Sequence, residues 1–245
     1  MATTEVSVGK LFDRTREQSK EHFGTLWKAA AVSYALSFGV YAIGYIILVV
    51  GGGGIGNGKT GEQNGIAAFV AIAFMALAGL LAIILWFGKI YLAVSLVEHG
   101  EGTRWTAIFR YFKKPVRFLY YLLVTVVLSI AIGFGFLFFF IPGVYLAVAW
   151  TAVLPVLIAS EEQEGESPDM FQAMSISRKA IHPKWFTWFG WGLVKWLLSL
   201  SCMFLVPIIW VVPILLVAPG VEWAILFSTD RIRGDLEKAE SDEKH

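Results

Sequence analysis

The chain has 245 residues, of which 57% are hydrophobic and 16% are charged, whereas an ordinary soluble domain carries about 25% charged residues. Its 20 basic and 19 acidic residues nearly cancel, so no overall field would attract nucleic acid or an acidic substrate. The single cysteine, Cys202, lies in an apolar run, which excludes an internal disulfide and a thiolate metal cluster.

The first apolar run predicts a transmembrane helix, because about 20 mostly apolar residues cross the hydrocarbon core of a bilayer. It covers 27–50 and ends at the glycines that open a polar loop. Residues 1–26 are mostly polar, unlike the short basic start and apolar core of a secretory signal peptide. We therefore expect a retained helix that follows a cytoplasmic amphipathic segment.

Later apolar runs predict five more spans. The second run is longer than a bilayer requires, so its helix tilts or emerges into the cytoplasm, and Lys89 near its cytoplasmic end extends to the interface. Two further runs, 118–159 and 185–227, are each too long for one span, and helix-breaking prolines divide them. Pro142 and Gly143 predict the turn in the first of them. The six predicted spans are 27–50, 66–97, 118–140, 144–159, 186–206 and 211–228.

The positions of lysine and arginine predict the orientation. Six spans place every basic segment on one face, which the positive-inside tendency makes cytoplasmic. These segments are 1–28, 98–117, 160–184 and the charged tail 229–245. The loops between them contain one basic residue, Lys59. We expect a protein of the cell inner membrane with both termini in the cytoplasm.

An amphipathic pattern precedes each pair of spans. Trp105 and Phe171 are each followed by alanine two residues later and by lysine eight residues later, and Phe12 likewise precedes Lys20. Such helices lie in the headgroup layer, although a short basic loop between spans would show the same pattern. We predict an all-α integral membrane protein of six transmembrane helices, as three hairpins that each follow an amphipathic interfacial helix. The side chains expected to contact lipid headgroups are Arg104, Arg110, Lys113, Lys114, Arg178 and Lys179.

Short motifs around the fourth span occur in a distinctive order. They are Ile141-Pro142-Gly143-Val144-Tyr145-Leu146, Trp150, Leu154-Pro155-Val156-Leu157 and Phe171-Gln172-Ala173-Met174-Ser175-Ile176-Ser177-Arg178. This order resembles the membrane domain attached to glycerophosphoryl diester phosphodiesterases, and uncharacterised bacterial inner-membrane proteins that carry the domain alone. The resemblance is best over 104–200 and implies a six-helix membrane fold. It does not imply the esterase activity, which belongs to a separate soluble barrel of about 250 residues.

Two ionisable residues lie inside predicted spans, where charge is expensive. Counted from Pro207, Lys195 is twelve residues back and Glu222 fifteen forward, so at about 1.5 Å per residue their depths differ by about 5 Å. An ion pair between them is expected. It would serve either as a proton or ion relay in a transporter or as a neutralised pair that orients two helices.

Two other patterns have structural interpretations. The glycine-rich loop that ends in Gly58-Lys59-Thr60 is similar to a phosphate-binding loop, but it joins two spans instead of following a buried strand. We interpret it as a flexible linker. An acidic run is interpreted as a solvated loop that caps the next helix near Ser167-Pro168-Asp169, with divalent-cation binding as the alternative. The run comprises Glu161, Glu162, Glu164, Glu166 and Asp169.

The functional prediction is a non-enzymatic membrane module without a cofactor, because no paired catalytic motif is present and the four histidines stand apart in the sequence. Its expected partners are the bilayer, anionic lipids and a membrane protein partner, and no nucleic acid. The alternative is a small transporter or channel that uses Lys195 and Glu222.

Overall fold

The computed structural model describes residues 7–51, 61–99, 103–138, 140–163, 168–202 and 208–227. These residues form α-helices and short 3₁₀ helices and contain no strand, which confirms the all-α prediction. The α-helices are α1 Val8–Glu21, α2 Phe23–Gly51, α3 Gly61–His99, α4 Pro115–Phe138, α5 Phe140–Ala149, α6 Val153–Gln163, α7 Met170–Ile181, α8 Trp185–Ser201 and α9 Ile208–Leu226. The 3₁₀ helices are Trp105–Phe112 and His182–Lys184. The Gly-Lys-Thr motif and the tail 229–245 lie outside the described residues.

Five helical segments of the described chain are long and apolar enough to cross a bilayer. They are Phe23–Val50, Ile66–His99, Pro115–Phe138, Phe140–Glu161 and Ile208–Leu226. Large apolar side chains on their outer surfaces, such as Phe38 and Phe69, are exposed. Contiguous exposed apolar surface of this extent suits lipid and not water. The described helices therefore fit a multi-pass membrane protein.

The predicted fifth span is not one of these five segments. Its helix, α8, has 17 residues, which is short of the roughly 20 that cross a bilayer. The predicted span continued to 206, and residues 203–207 are outside the described chain.

The start of α9 lies beside the start of α2. Trp27 Nε1 donates to the Ile209 carbonyl oxygen at 2.9 Å, and the Phe23 and Trp210 rings are 5.6 Å apart. The predicted up-and-down order puts these two ends on opposite faces, so it does not agree with this contact. The reason is that α9 is apolar on all sides, and such a helix suits the interior of a protein as well as lipid.

The contacts of α5 with the end of α7 and the start of α8 also depart from the predicted up-and-down order of the spans. The Tyr145 ring stacks on Trp185 with 6.2 Å between centroids, and the buried Ser177 Oγ donates to the Ala149 carbonyl oxygen at 2.7 Å. The end of α7 and the start of α8 thus lie along α5. Depth counted from residue numbers fails here because a turn at 150–152 separates α5 from α6.

Pro142 and Gly143 lie in a helix and do not form the predicted turn. Helix α5 begins at Phe140, so both residues lie in its first turn, where proline is tolerated because the first amide hydrogens have no partner within the helix. Gly143 instead permits a close contact, since a Cβ atom there would lie 2.6 Å from the backbone nitrogen of Phe136 in α4.

Helix α1 packs against the rest of the fold through one face. Its Leu11, Thr15 and Ser19 are buried at a spacing of four residues, which places them on one side of a helix, and α1 contacts α8 and α9. The Thr15 hydroxyl donates to the Leu11 carbonyl oxygen at 2.7 Å, so the buried hydroxyl is satisfied within the helix.

Two glycines bring backbones into direct contact with α3. A Cβ atom on Gly88 of α3 would lie 1.9 Å from the Ile108 carbonyl oxygen of the 3₁₀ helix. A Cβ atom on Gly220 of α9 would lie 2.0 Å from the Ala93 carbonyl oxygen of α3. Both distances are far below van der Waals contact, so only glycine allows these two elements to pack as they do. Buried carboxylates lie close to both contacts.

Candidate functional site

The first carboxylate, Glu222, follows Gly220 on α9 and is 2% exposed. Trp191 Nε1 of α8 donates to Glu222 Oε1 at 2.7 Å, and Lys195 Nζ contacts the same oxygen. Trp191 and Lys195 are four residues apart, which places both on one face of α8. The structure thus brings together the two ionisable residues for which the sequence predicted an ion pair.

The neighbouring residue extends this contact to α3. Trp223 Nε1 donates to Glu98 Oε1 at 2.6 Å. One turn of α9 therefore carries the close backbone contact of Gly220, the carboxylate of Glu222 and the indole of Trp223. Through these contacts, this turn packs against α8 on one side and against the end of α3 on the other.

The second carboxylate, Glu161, lies near the end of α6, and its side chain is 3% exposed. Lys114 Nζ lies 2.7 Å from Oε1, the Tyr121 hydroxyl donates to Oε2 at 2.7 Å, and Arg110 Nη2 lies 3.7 Å from Oε1. Two cations and one hydroxyl thus offset the cost of removing this carboxylate from water. Glu161 connects α6 to the 3₁₀ helix and to the start of α4.

Aromatic rings form a shell around this ion pair. The Arg110 guanidinium lies 4.2 Å from the centroid of the Tyr91 ring and donates to the Tyr91 hydroxyl. Tyr111 makes edge-to-face contacts with Tyr91 and Tyr121, the latter at 5.5 Å between centroids. Burial raises the pKa of the Tyr111 hydroxyl, so this phenol stays neutral at physiological pH. Such rings add packing energy around the ion pair.

Glu161 corrects the sequence interpretation of the acidic run. The prediction placed it in a solvated loop, whereas its carboxylate is buried within a helix end. The sequence carried a signal, because the apolar Leu157 and Ile158 lie one turn before Glu161 and residues three or four apart share a helix face. The structure buries both. The start of the next helix is confirmed, since Asp169 is the N-cap of α7 and its N–H donates to Gln172 Oε1 at 3.3 Å.

The structure divides the six predicted headgroup-binding residues into two groups. Arg110 and Lys114 contact Glu161 of the same chain, and the Lys114 side chain remains 44% exposed. The other four are also exposed. They are Arg104, Lys113, Arg178 and Lys179. Sequence periodicity missed this division because it does not show which basic residue meets a buried acid.

Two adjoining grooves lie between α5 and the start of α8. One, of about 410 Å³, is lined by Phe140, Ile141, Val144, Tyr145, His182 and Trp185. The other, of about 390 Å³, is lined by Tyr145, Arg178, Lys179, His182 and Pro183. Tyr145 and His182 border both. Neither groove is lined by Lys195 or Glu222.

The described residues contain no arranged metal ligands, and Lys89, the other cation inside a predicted span, lies beside an aromatic ring. Within the described residues, no three histidine, cysteine or acidic side chains are arranged to hold a metal ion. Lys89 Nζ lies 5.1 Å from the centroid of the Tyr34 ring, a distance at which the face of an aromatic ring attracts a cation. Its charge therefore has an aromatic neighbour on α2.

No protein-family model matches the chain, and no curated protein or solved structure is similar to it at a significant level.

Proposed function

We propose that this chain is a non-enzymatic multi-pass membrane module that engages anionic lipid of the inner leaflet. The observation that carries the proposal is the segment 104–116 around the 3₁₀ helix, which exposes two cations, Arg104 and Lys113, together with two apolar residues, Phe112 and Val116. Apolar side chains enter the acyl region while cations remain at the phosphates. A membrane protein partner at the same surface is the other ligand that this composition would serve.

Glu161 contributes to this function by orienting the segment. Its contacts with Lys114 and Arg110 hold the 3₁₀ helix against α6, while the backbone contact at Gly88 holds it against α3. The segment is thus held on two sides. A fixed segment loses less conformational entropy when it binds than a free loop does.

We also propose the finer arrangement of six spans, with α8 as the fifth and both termini in the cytoplasm of the cell. Contacts of α2 with α3, α4 with α5 and α8 with α9 support pairing into hairpins, and the basic segments support the orientation. The contacts of Trp27 with Ile209 and of Trp223 with Glu98 place both ends of α9 near helix ends that this order puts on one face, and they count against a full crossing by α9. The motif order around 141–178 supports kinship with the phosphodiesterase-associated membrane domain.

The lipid proposal predicts a charge-dependent preference. Full-length protein in nanodiscs of mixed composition is expected to enrich phosphatidylglycerol over phosphatidylcholine. Arg104→Gln combined with Lys113→Gln should weaken that enrichment, because each basic residue near an anionic surface adds about 1 kcal/mol of attraction. The measurement is the ratio of phosphatidylglycerol to phosphatidylcholine that copurifies with the protein, determined at increasing salt concentration.

The charge-conserving pair Arg104→Lys with Lys113→Arg is the matched control, and it should behave as the parent chain. Equal retention of the two lipids by the parent chain at low salt would overturn the proposal.

The alternative function is a small transporter or channel. The observation in its favour is Glu222, a carboxylate that is almost fully buried. Its Oε1 atom contacts both Lys195 Nζ and Trp191 Nε1. Buried acid–base pairs serve as proton or ion relays in membrane transporters. If this function is correct, Glu222→Gln and Lys195→Met should each abolish proton or ion flux in proteoliposomes. Flux that persists in both variants would show that the pair serves helix packing.

A further inference from the structure

The two grooves beside α5 adjoin and have two kinds of lining. They meet at Tyr145 and His182, which line both. Arg178 and Lys179 line one half, and apolar side chains of α5 line most of the other half. The complete surface therefore has a cationic end and an apolar end.

The cationic end has no acidic residue among those that line it. Arg178 and Lys179 are exposed near the end of α7, and His182 follows one turn later. Arg178 and His182 are four residues apart, which places them on one side of the helix, and Lys179 lines the same groove. Their donors suit the oxygens of a phosphate diester, which arginine binds well because its fork of N–H groups matches the phosphate geometry.

The apolar end suits a hydrocarbon chain. Phe140 and Ile141 are exposed, Ile141 to 80%, and Val144 continues the same side of α5 toward Tyr145. The ring of Trp185 also lines this end and adds to its apolar surface.

We propose that this groove binds one anionic phospholipid, with the phosphate at Arg178 and Lys179 and an acyl chain along Phe140 and Ile141. The proposal rests on the proposed lipid function and assigns it to a defined site. Each groove volume is within the range of about 300–1,000 Å³ that is usual for small-molecule sites. The juxtaposition of cations with an apolar wall favours a lipid over a free phosphate ester.

Trp185 supplies a local reporter for the test. Full-length protein in detergent is titrated with phosphatidylglycerol whose acyl chains carry bromine, which quenches nearby tryptophan fluorescence. The difference between the parent chain and Trp185→Phe isolates the signal of the groove. Arg178→Gln with Lys179→Gln should weaken the binding reported by Trp185 by about 30-fold at low ionic strength. Lys179→Gln alone should weaken it by about fivefold.

The matched control removes the same charge elsewhere. Arg14→Gln with Lys20→Gln on the exposed side of α1 should leave the quenching of Trp185 within about twofold of the parent chain, because neither residue lines the groove. Brominated phosphatidylcholine should bind more weakly than phosphatidylglycerol. Glycerol phosphate, which has the phosphate without the chains, should not displace the lipid.

Each other result has a distinct meaning. If the parent chain enriches phosphatidylglycerol but the groove variants quench like the parent chain, the groove assignment is wrong and the lipid function stands. If glycerol phosphate displaces the lipid, the groove is a site for free phosphate esters and the lipid assignment is wrong. If phosphatidylcholine binds as well as phosphatidylglycerol in every measurement, both proposals are wrong.

Discussion

Replacing Gly220 or Gly88 by alanine is expected to separate helices that the structure holds in backbone contact. The added Cβ atom would lie 2.0 Å from the Ala93 carbonyl oxygen in the first case and 1.9 Å from the Ile108 carbonyl oxygen in the second. Neither neighbour is the end of a flexible side chain, so the backbone itself must move. Overpacking usually costs 1–3 kcal/mol and occasionally more, and we expect about 3 kcal/mol or more at each site.

The control is Gly79→Ala, because a Cβ atom on Gly79 of α3 meets nothing within 4 Å. Alanine is favoured over glycine inside a helix by about 1 kcal/mol, so this change should leave stability equal or slightly higher. The measurement is unfolding in mixed micelles by increasing fractions of sodium dodecyl sulfate, followed by the fluorescence of the ten tryptophans.

The comparison with Gly79→Ala distinguishes a loss of close helix packing from a general destabilisation by any glycine-to-alanine change. If Gly220→Ala and Gly88→Ala unfold at the same detergent fraction as Gly79→Ala, then α9 and the 3₁₀ helix do not dock on α3 as described. Loss of Gly220 packing should also separate Glu222 from Lys195, because Gly220 and Glu222 belong to the same turn of α9.

Removing the charge of Glu161 is expected to have the second largest effect. Glutamine has nearly the same shape and keeps an acceptor for the Tyr121 hydroxyl, but Lys114 and Arg110 lose their anionic partner. Breaking a buried ion pair costs about 3–5 kcal/mol. Lys114 is 44% exposed and remains partly hydrated, so we expect a smaller destabilisation by Glu161→Gln of about 2–3 kcal/mol.

The partners of Glu161 provide an internal check by the same unfolding measurement. Lys114→Gln should cost about 1 kcal/mol or less, because water screens an exposed ammonium. Combined with Glu161→Gln, it should cost less than the sum of the two single changes, since residues in contact are not additive. Glu17→Gln on the exposed face of α1 is the control and should change stability by less than about 0.5 kcal/mol. A cost for Glu161→Gln as small as that of Glu17→Gln would contradict the ion network.

The contact between Lys195 and Glu222 was predicted from residue positions along two consecutive helices, and the structure confirms it. The count along the helices placed the two residues within about 5 Å in depth, and their side chains are in contact. The same counting did not detect Trp191 on the same oxygen or the bond from Trp223 to Glu98. Tryptophan has both an apolar ring and one N–H donor, so its position in a sequence does not show whether the donor has a buried partner.

The sequence alone determined the helical class and placed all five segments that are long enough for a bilayer within a few residues at each end. It did so because hydrocarbon requires long apolar helices whose backbone groups are satisfied internally. Only the tertiary structure decided that α9 begins beside α2, that α8 lies against α5, and that Lys114 and Arg110 contact the buried Glu161. Apolar side chains suit lipid and protein interior alike, so residue type cannot distinguish the two environments, whereas a specific neighbour in three dimensions does.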